Sequence, residues 1–327
     1  MPRRPGLQPR LQPPTIPPVH LARDHPPAVV RAHVRSGAWV EVRPGAYTDA
    51  PRAADPYASA RTRAVARVAA AVMQLETSVV VSHGSAALLW GLPAPTEAPV
   101  HLTQGTKPCR NARGLVRHSH QLSSADTTAL SWIPLTTVTR TVGDCATSLR
   151  PSIALAVVDA ALHAGLDRAA CLDRLATTPG RRGVVQARAV LELADDGAES
   201  PGESLARFAL LAAGLPRPET QVRVETHLGT FWSDLGWPEW RLLAEYDGRG
   251  KYEARGTAAT AVLSEKRRQD AIEEAGFRVL RITKEDLRSP EHLVARVLRR
   301  APPGAVRLPL TPRGALSGRP PDLRARR

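Results

Sequence analysis

Apolar and polar positions change their period several times along this chain, and each change marks an expected element. Leu242-Leu243-Ala244-Glu245-Tyr246-Asp247 is a short apolar run closing in alternating acids and bounded by Gly248, which predicts a strand. The apolar run around Phe231 and the stretch Gly276-Phe277-Arg278-Val279-Leu280-Arg281 predict two more. Trp237-Pro238-Glu239 reads as the turn of a hairpin joining the first two. A charged segment beginning near Ala261, with Glu265-Lys266-Arg267-Arg268-Gln269-Asp270, predicts a helix before the last strand. Farther upstream, Ile153, Leu155, Val157, Val158, Ala161 and Leu162 form an apolar stripe, and residues 151–195 read as amphipathic helices. Val80 to Pro93 reads as an apolar helix capped at Ser82 and stopped by Gly91, with strands at Val100–Thr103 and Ile133–Thr136. Near the start, His20–His25 and Pro26–Ser36 suggest two short helices, and Gly37–Tyr47 a hairpin around a Pro-Gly turn.

At 327 residues the chain exceeds a typical single domain, so several are expected. The pattern divides it into a basic arm (1–18), a winged helix-turn-helix-like segment (19–50), an α/β middle (51–195), a strand-rich unit (196–300) and a basic tail (301–327). The expected class is α/β, of the α+β kind. Both ends are rich in proline and lack periodicity, which reads as disorder.

The formal charge of +14 invites a nucleic-acid reading. Its distribution tempers that, because residues 1–18 hold three arginines without an acid and residues 301–327 hold six arginines with one aspartate. More than half of the excess therefore sits in the two ends. Only four of the 45 basic residues are lysine, namely Lys107, Lys251, Lys266 and Lys284, and two of them fall beside the acids discussed next. Cys109, Cys145 and Cys171 form no CxxC, so neither a structural zinc nor a disulfide framework is expected, and a reducing cytoplasm fits. The start lacks the apolar stretch of a signal peptide, and no apolar run is long enough to span a membrane.

Asp234 lies in the first strand of the hairpin, while Glu245 and Asp247 share one face of the second. Three carboxylates converging at one sheet edge call for a cation, and an all-oxygen set suits Mg²⁺ or Mn²⁺. Lys251 or Lys266 could then orient or deprotonate a water, or steady charge on a phosphate. The bland alternatives are turn chemistry at Asp247-Gly248 and a solvated helix face at Glu265–Asp270. Glu203 follows Ser200 and Pro201 as an acid in a first helical turn.

In the amino-terminal segment, helix, helix and wing follow the plan of a winged helix-turn-helix, whose second helix can enter the major groove. Arg31, His33 and Arg35 would be its cations, and Arg267 and Arg268 are further DNA-contact candidates. Ser82, His83 and Ser85 lack a nearby acid in a usable pattern and read as packing residues. His118 and His120 share a strand face but find no third ligand in the sequence.

The run Asp234, Glu245, Glu265-Lys266-Arg267-Arg268 and Gly276–Arg281 resembles the PD-(D/E)XK nuclease fold, in its very-short-patch-repair-like branch among uncharacterised actinobacterial proteins. The likeness spans roughly Glu199 to Arg300. It implies metal-dependent hydrolysis of DNA phosphodiesters, with Asp234, Glu245 and Asp247 on the metal and Glu203, or less favourably Glu199, as the preceding helical acid. The family pattern would place lysine at position 247, where this chain has Asp247. The lysine's role would pass to Lys251 or Lys266, or the site is rearranged or dead. The segments at 19–50 and 80–93 resemble the abortive-infection antitoxin family AbiEi, which implies a DNA-binding regulator with a cognate toxin as partner. Three functions follow: a DNA-binding endonuclease, an antitoxin or transcriptional regulator with a degenerate nuclease fold, and a structural adaptor.

Overall fold

The computed structural model describes residues 10–53, 55–107, 113–177, 182–248 and 258–316. It is a mixed α/β structure with three sheets. Strand β1 (His20–Leu21) runs into a single 3-10 turn at Ala22–Asp24, helix α1 (Pro27–Arg35) follows, and β2 (Trp39–Arg43) and β3 (Ala46–Asp49) complete a sheet of order β1-β3-β2. The first of the two expected helices is thus a strand and a turn. His20–Leu21 pairs with Ala46–Tyr47, and Pro26-Pro27 restarts the chain as a helix. Gly45, at φ 71°, makes the tight turn between β2 and β3.

Helix α2 (Pro56–Gln74) starts where the Asp55 carboxylate accepts the backbone N–H groups of Tyr57 and Ala58, and its alanine-rich face is buried. Next come β4 (Val80–Val81), α3 (His83–Leu89), β5 (Val100–Gln104), β6 (Leu115–Ser119), β7 (Thr127–Leu130), β8 (Ile133–Thr136) and α4 (Val138–Ser148). The five strands form a mixed sheet of order β6-β5-β4-β8-β7, with Val81, Leu102, Ile133 and Leu135 buried against α2 and α3.

Helices α5 (Pro151–His163), α6 (Arg168–Ala176) and α7 (Val184–Leu193) follow. By compactness the chain forms two units that interleave: α6 belongs with residues 10–149, whereas α5 and most of α7 belong with the carboxy-terminal residues. In that second unit, α8 (Pro201–Ala212), β9 (Glu219–Thr226), β10 (Gly229–Trp237), β11 (Leu242–Tyr246), α9 (Ala258–Glu274), β12 (Arg278–Ile282), α10 (Lys284–Arg288) and α11 (Pro290–Leu298) appear in order. The sheet runs β12-β11-β10-β9, antiparallel except for the β11–β12 pair. One face buries Leu235, Trp237, Leu242, Ala244, Leu280 and Ile282 against α8 and α11. The other packs Val222, Val224 and Leu243 on Ile272 of α9.

The Asp159–Arg207 pair ties α5 to α8, both side chains fully buried, with guanidinium-carboxylate distances of 2.6 and 2.7 Å. Parts of the ends expected to be disordered are packed. The Thr48 hydroxyl donates to the Pro18 carbonyl at 2.7 Å, and Ile16 joins the core of the first unit. In the second unit Ala305, Val306 and Leu310 lie on the core, and the Arg313 side chain donates to the Leu211 carbonyl. Apolar residues scattered among prolines suffice for this packing without helical or strand periodicity.

Candidate functional site

The β10–β11 hairpin brings Asp234 and Glu245 side by side, as the sequence reading expects. Leu235 pairs with Ala244, so the antiparallel register sets Asp234 opposite Glu245. Between the pairs Ser233–Val222 and Leu235–Thr220 the ladder to β9 is interrupted, and Gln221 there takes a φ of 51°. The Asp234 carboxylate accepts the Tyr246 backbone N–H at 2.8 Å. Asp247 lies just past the end of β11, where its N–H donates to the Ile282 carbonyl.

Glu245 is buried and held by arginines. Arg268 of α9 donates to both of its oxygens, at 2.9 and 2.7 Å, and Arg281 reaches Oε2 at 2.9 Å. Arg281 arrives through the parallel register of β11 with β12, in which it pairs with Glu245 itself. Glu265, one turn before Arg268 on α9, accepts from Arg268 at 2.9 and 3.0 Å and also from Arg281. Two carboxylates thus share two guanidiniums, and the cluster is neutral in itself. Burial alone would raise the Glu265 carboxyl, but the hydrogen bonds and charges of Arg268 and Arg281 hold it below its ordinary range. Burial would likewise weaken Arg268, yet its bonds to Glu245 and Glu265 drive its pKa up.

Asp234, Glu245 and Asp247 would be the oxygen donors for Mg²⁺ or Mn²⁺. Both Glu245 oxygens already accept guanidinium N–H bonds, so this set does not fit a hard divalent cation as it stands. Lys266 and Arg267 are exposed on α9, while Glu265 and Arg268 of the same helix turn engage the cluster. Lys251 lies outside the described residues. Glu203, only 2% exposed, caps α8: it accepts the Ser200 hydroxyl at 2.7 Å and the Glu199 N–H at 2.8 Å, while Ser200 accepts the Glu203 N–H.

In the first unit, α1 exposes Arg31 and Arg35 beside Val29 and Val34. His33 does not join them, because its ring stacks on Trp39 at 4.4 Å; His20 also stacks on Trp39, at 4.1 Å. A groove of about 490 Å³ at the turn of the β2–β3 hairpin is lined by Arg43, Arg67 and Arg113 together with Glu41 and Glu97. Burial first, and the nearby Arg67 charge second, lower the Arg43 pKa.

The same unit assembles a cluster for which the sequence offers no third member beside His118 and His120. His83 opens α3, His101 lies on β5 and His118 on β6, and one ring nitrogen from each lies within 4.8 Å of the others. His101 Nδ1 and His118 Nε2 are 3.1 Å apart, and the His83 and His118 rings stack at 3.8 Å. His83 and His101 are buried, and burial foremost, with His118 beside it, lowers His101 to about 4. His83 Nδ1 contacts Ser82 Oγ at 2.9 Å and lies 4.0 Å from Asp144; the Thr103 hydroxyl in turn donates to Ser82. Asp144 is gripped by Arg140, which also reaches Asp126, and Asp126 is paired with Arg174 of α6. His120 falls outside the trio, exposed past the end of β6. The one local hint is that Ser82 caps α3 without a side-chain hydrogen bond to its backbone, its hydroxyl being turned to His83 and Thr103.

Two uncharacterized proteins from separate strains of Mycobacterium tuberculosis are each 32% identical to this chain over 252 residues, covering 74% of it and 89% of their own length. No family model matches the chain.

Proposed function

The chain belongs to the family of these uncharacterized mycobacterial proteins, and from its geometry we propose a DNA-binding regulator of antitoxin type whose nuclease-like carboxy-terminal sheet no longer hydrolyses DNA. One observation carries this reading: both oxygens of Glu245 are taken by Arg268 and Arg281 where a nuclease would offer them to a metal. Two carboxylates, Glu245 and Glu265, sharing two guanidiniums keep the charge balance there without a cation. DNA contact is supported by the exposed Arg31 and Arg35 on α1, the helix that would enter the groove with the β2–β3 hairpin as wing. The groove at the turn of that hairpin, where Arg43, Arg67 and Arg113 stand beside Glu41 and Glu97, would offer further phosphate contacts. The partner expected beyond DNA is a cognate toxin encoded next to this chain.

Placement of Asp234 beside Glu245 favours a second reading, an endonuclease in which Lys251 supplies the missing lysine. Gel retardation of DNA from the chain's own upstream region, run with Mg²⁺ or Mn²⁺, separates the two. The regulator retards this DNA without cutting it, and Arg31→Ala with Arg35→Ala lowers the slope of log K against log salt by about 0.9 for each phosphate that is no longer neutralised. Divalent-dependent cutting that vanishes in Asp234→Ala would overturn the regulator and establish the enzyme.

A further inference from the structure

The geometry points to a transition-metal site built from His83, His101 and His118, taking Zn²⁺ or a cation of similar softness. Three imidazoles from α3, β5 and β6 converge in the interior of the first unit, with one ligand nitrogen from each inside a 4.8 Å circle. Two ligand nitrogens on a tetrahedral zinc, each at about 2.0–2.1 Å from the metal, lie roughly 3.3 Å apart. His101 Nδ1 and His118 Nε2 are already 3.1 Å apart. Closing the third ligand onto the same ion requires the His83 ring to turn out of its stack on His118.

The surroundings are those of imidazole ligands. His83 Nδ1 is engaged by Ser82 and faces Asp144, so Nε2 is the atom that would serve the ion; a hydrogen-bond acceptor on the far ring nitrogen is the usual support for such a ligand. Ser82 is itself fixed by Thr103, and Asp144 by Arg140. His83 also sits at φ 52°, a left-handed conformation that costs a residue with a side chain on the order of 1 kcal/mol. Nitrogen ligands of this kind select zinc, copper, nickel or cobalt and not magnesium. Three protein ligands leave a fourth position for water or another small ligand.

The site stands apart from the DNA-binding reading and is tested without DNA. The full chain, stripped with chelator and re-equilibrated, is titrated with Zn²⁺ and with Co²⁺, and bound metal is counted by elemental analysis. One equivalent per chain is expected, unaffected by millimolar Mg²⁺ and retained in Asp234→Ala and His120→Ala. His118→Ala and His101→Ala, checked for folding by circular dichroism, lose it, and Ser82→Ala binds about tenfold more weakly. Should either histidine variant fail to fold, X-ray absorption on the zinc-loaded native chain decides: nitrogen ligands with imidazole scattering are expected. Oxygen-only or sulfur coordination, absence of a stoichiometric ion, or binding unchanged in folded His118→Ala would each overturn the site.

Discussion

The acids of the carboxy-terminal sheet and the histidines of the first unit are both partly buried clusters of ionisable groups gathered from three elements, but they are balanced in opposite ways. Around Glu245 the opposite charges are supplied by the protein itself, so its carboxylate oxygens face guanidinium donors instead of a ligand. Among His83, His101 and His118 the members are alike: His101 and His118 share a ring-to-ring hydrogen bond, and the proposed cation would take the imidazole lone pairs in its place. A cluster that resembles a metal site in sequence is thus closed by the protein's own opposite charges, and one invisible in sequence is assembled from like groups.

The most severe test of that difference is to open the closed cluster. Arg268→Ala leaves Glu245 and Glu265 with Arg281 alone; because that partner remains, the loss should be about 2 kcal/mol, below the ~3–5 kcal/mol of a buried charge left unpaired. Urea unfolding should show a loss near that size, and Glu245→Gln added to Arg268→Ala should recover part of it. A loss below ~1 kcal/mol would mean that the arginines merely cover Glu245, and the contrast between the clusters would fail.

A smaller effect is expected on acidification. Arg268 and Arg281 keep the Glu265 carboxyl low, and Arg296 together with the Thr283 N–H keeps Asp286 low against the opposing influence of burial. The unfolded chain then binds more protons than the folded one as pH falls through the ordinary carboxylate range of roughly 4 to 4.5. Stability present at neutral pH should be lost progressively below that range, seen as a falling urea midpoint between about pH 5 and pH 3. In Glu265→Gln the fall should be shallower. The least effect belongs to Lys266→Ala: exposed on α9 outside the ion network, it should change stability by no more than about 0.5 kcal/mol.

How far these clusters were legible follows from where their members lie. The alternation of Leu242–Asp247, the Pro-containing turn and the apolar run before it were enough to place Asp234 beside the end of the next strand, and the register then sets it opposite Glu245. Glu203 was legible as a first-turn acid behind a Ser200 cap, since Ser200, Pro201 and Glu203 are neighbours in the chain, and its bond back to Ser200 came with the structure. Arg268 lies 23 residues beyond Glu245 in a helix whose charges look like a solvated face, and the strand order that brings Arg281 alongside is not written in any one segment. The short helix expected at His20–His25 failed for a similar reason: pairing with β3 decides its conformation, and β3 lies beyond α1.

By itself the sequence determined the local grammar of this protein: most strands and helices, their caps and turns, the acid pair on one hairpin and the mixed α/β class. These depend on side-chain period and on backbone bonds between near neighbours. Tertiary structure alone decided what the ionisable groups do. It paired Glu245 with arginines from a later helix and strand, and it folded His83, His101 and His118 from three elements into one site. The physical reason is that the worth of a charge or a lone pair is set by the groups packed against it and by exclusion of water, and both come from contacts between segments far apart in the chain.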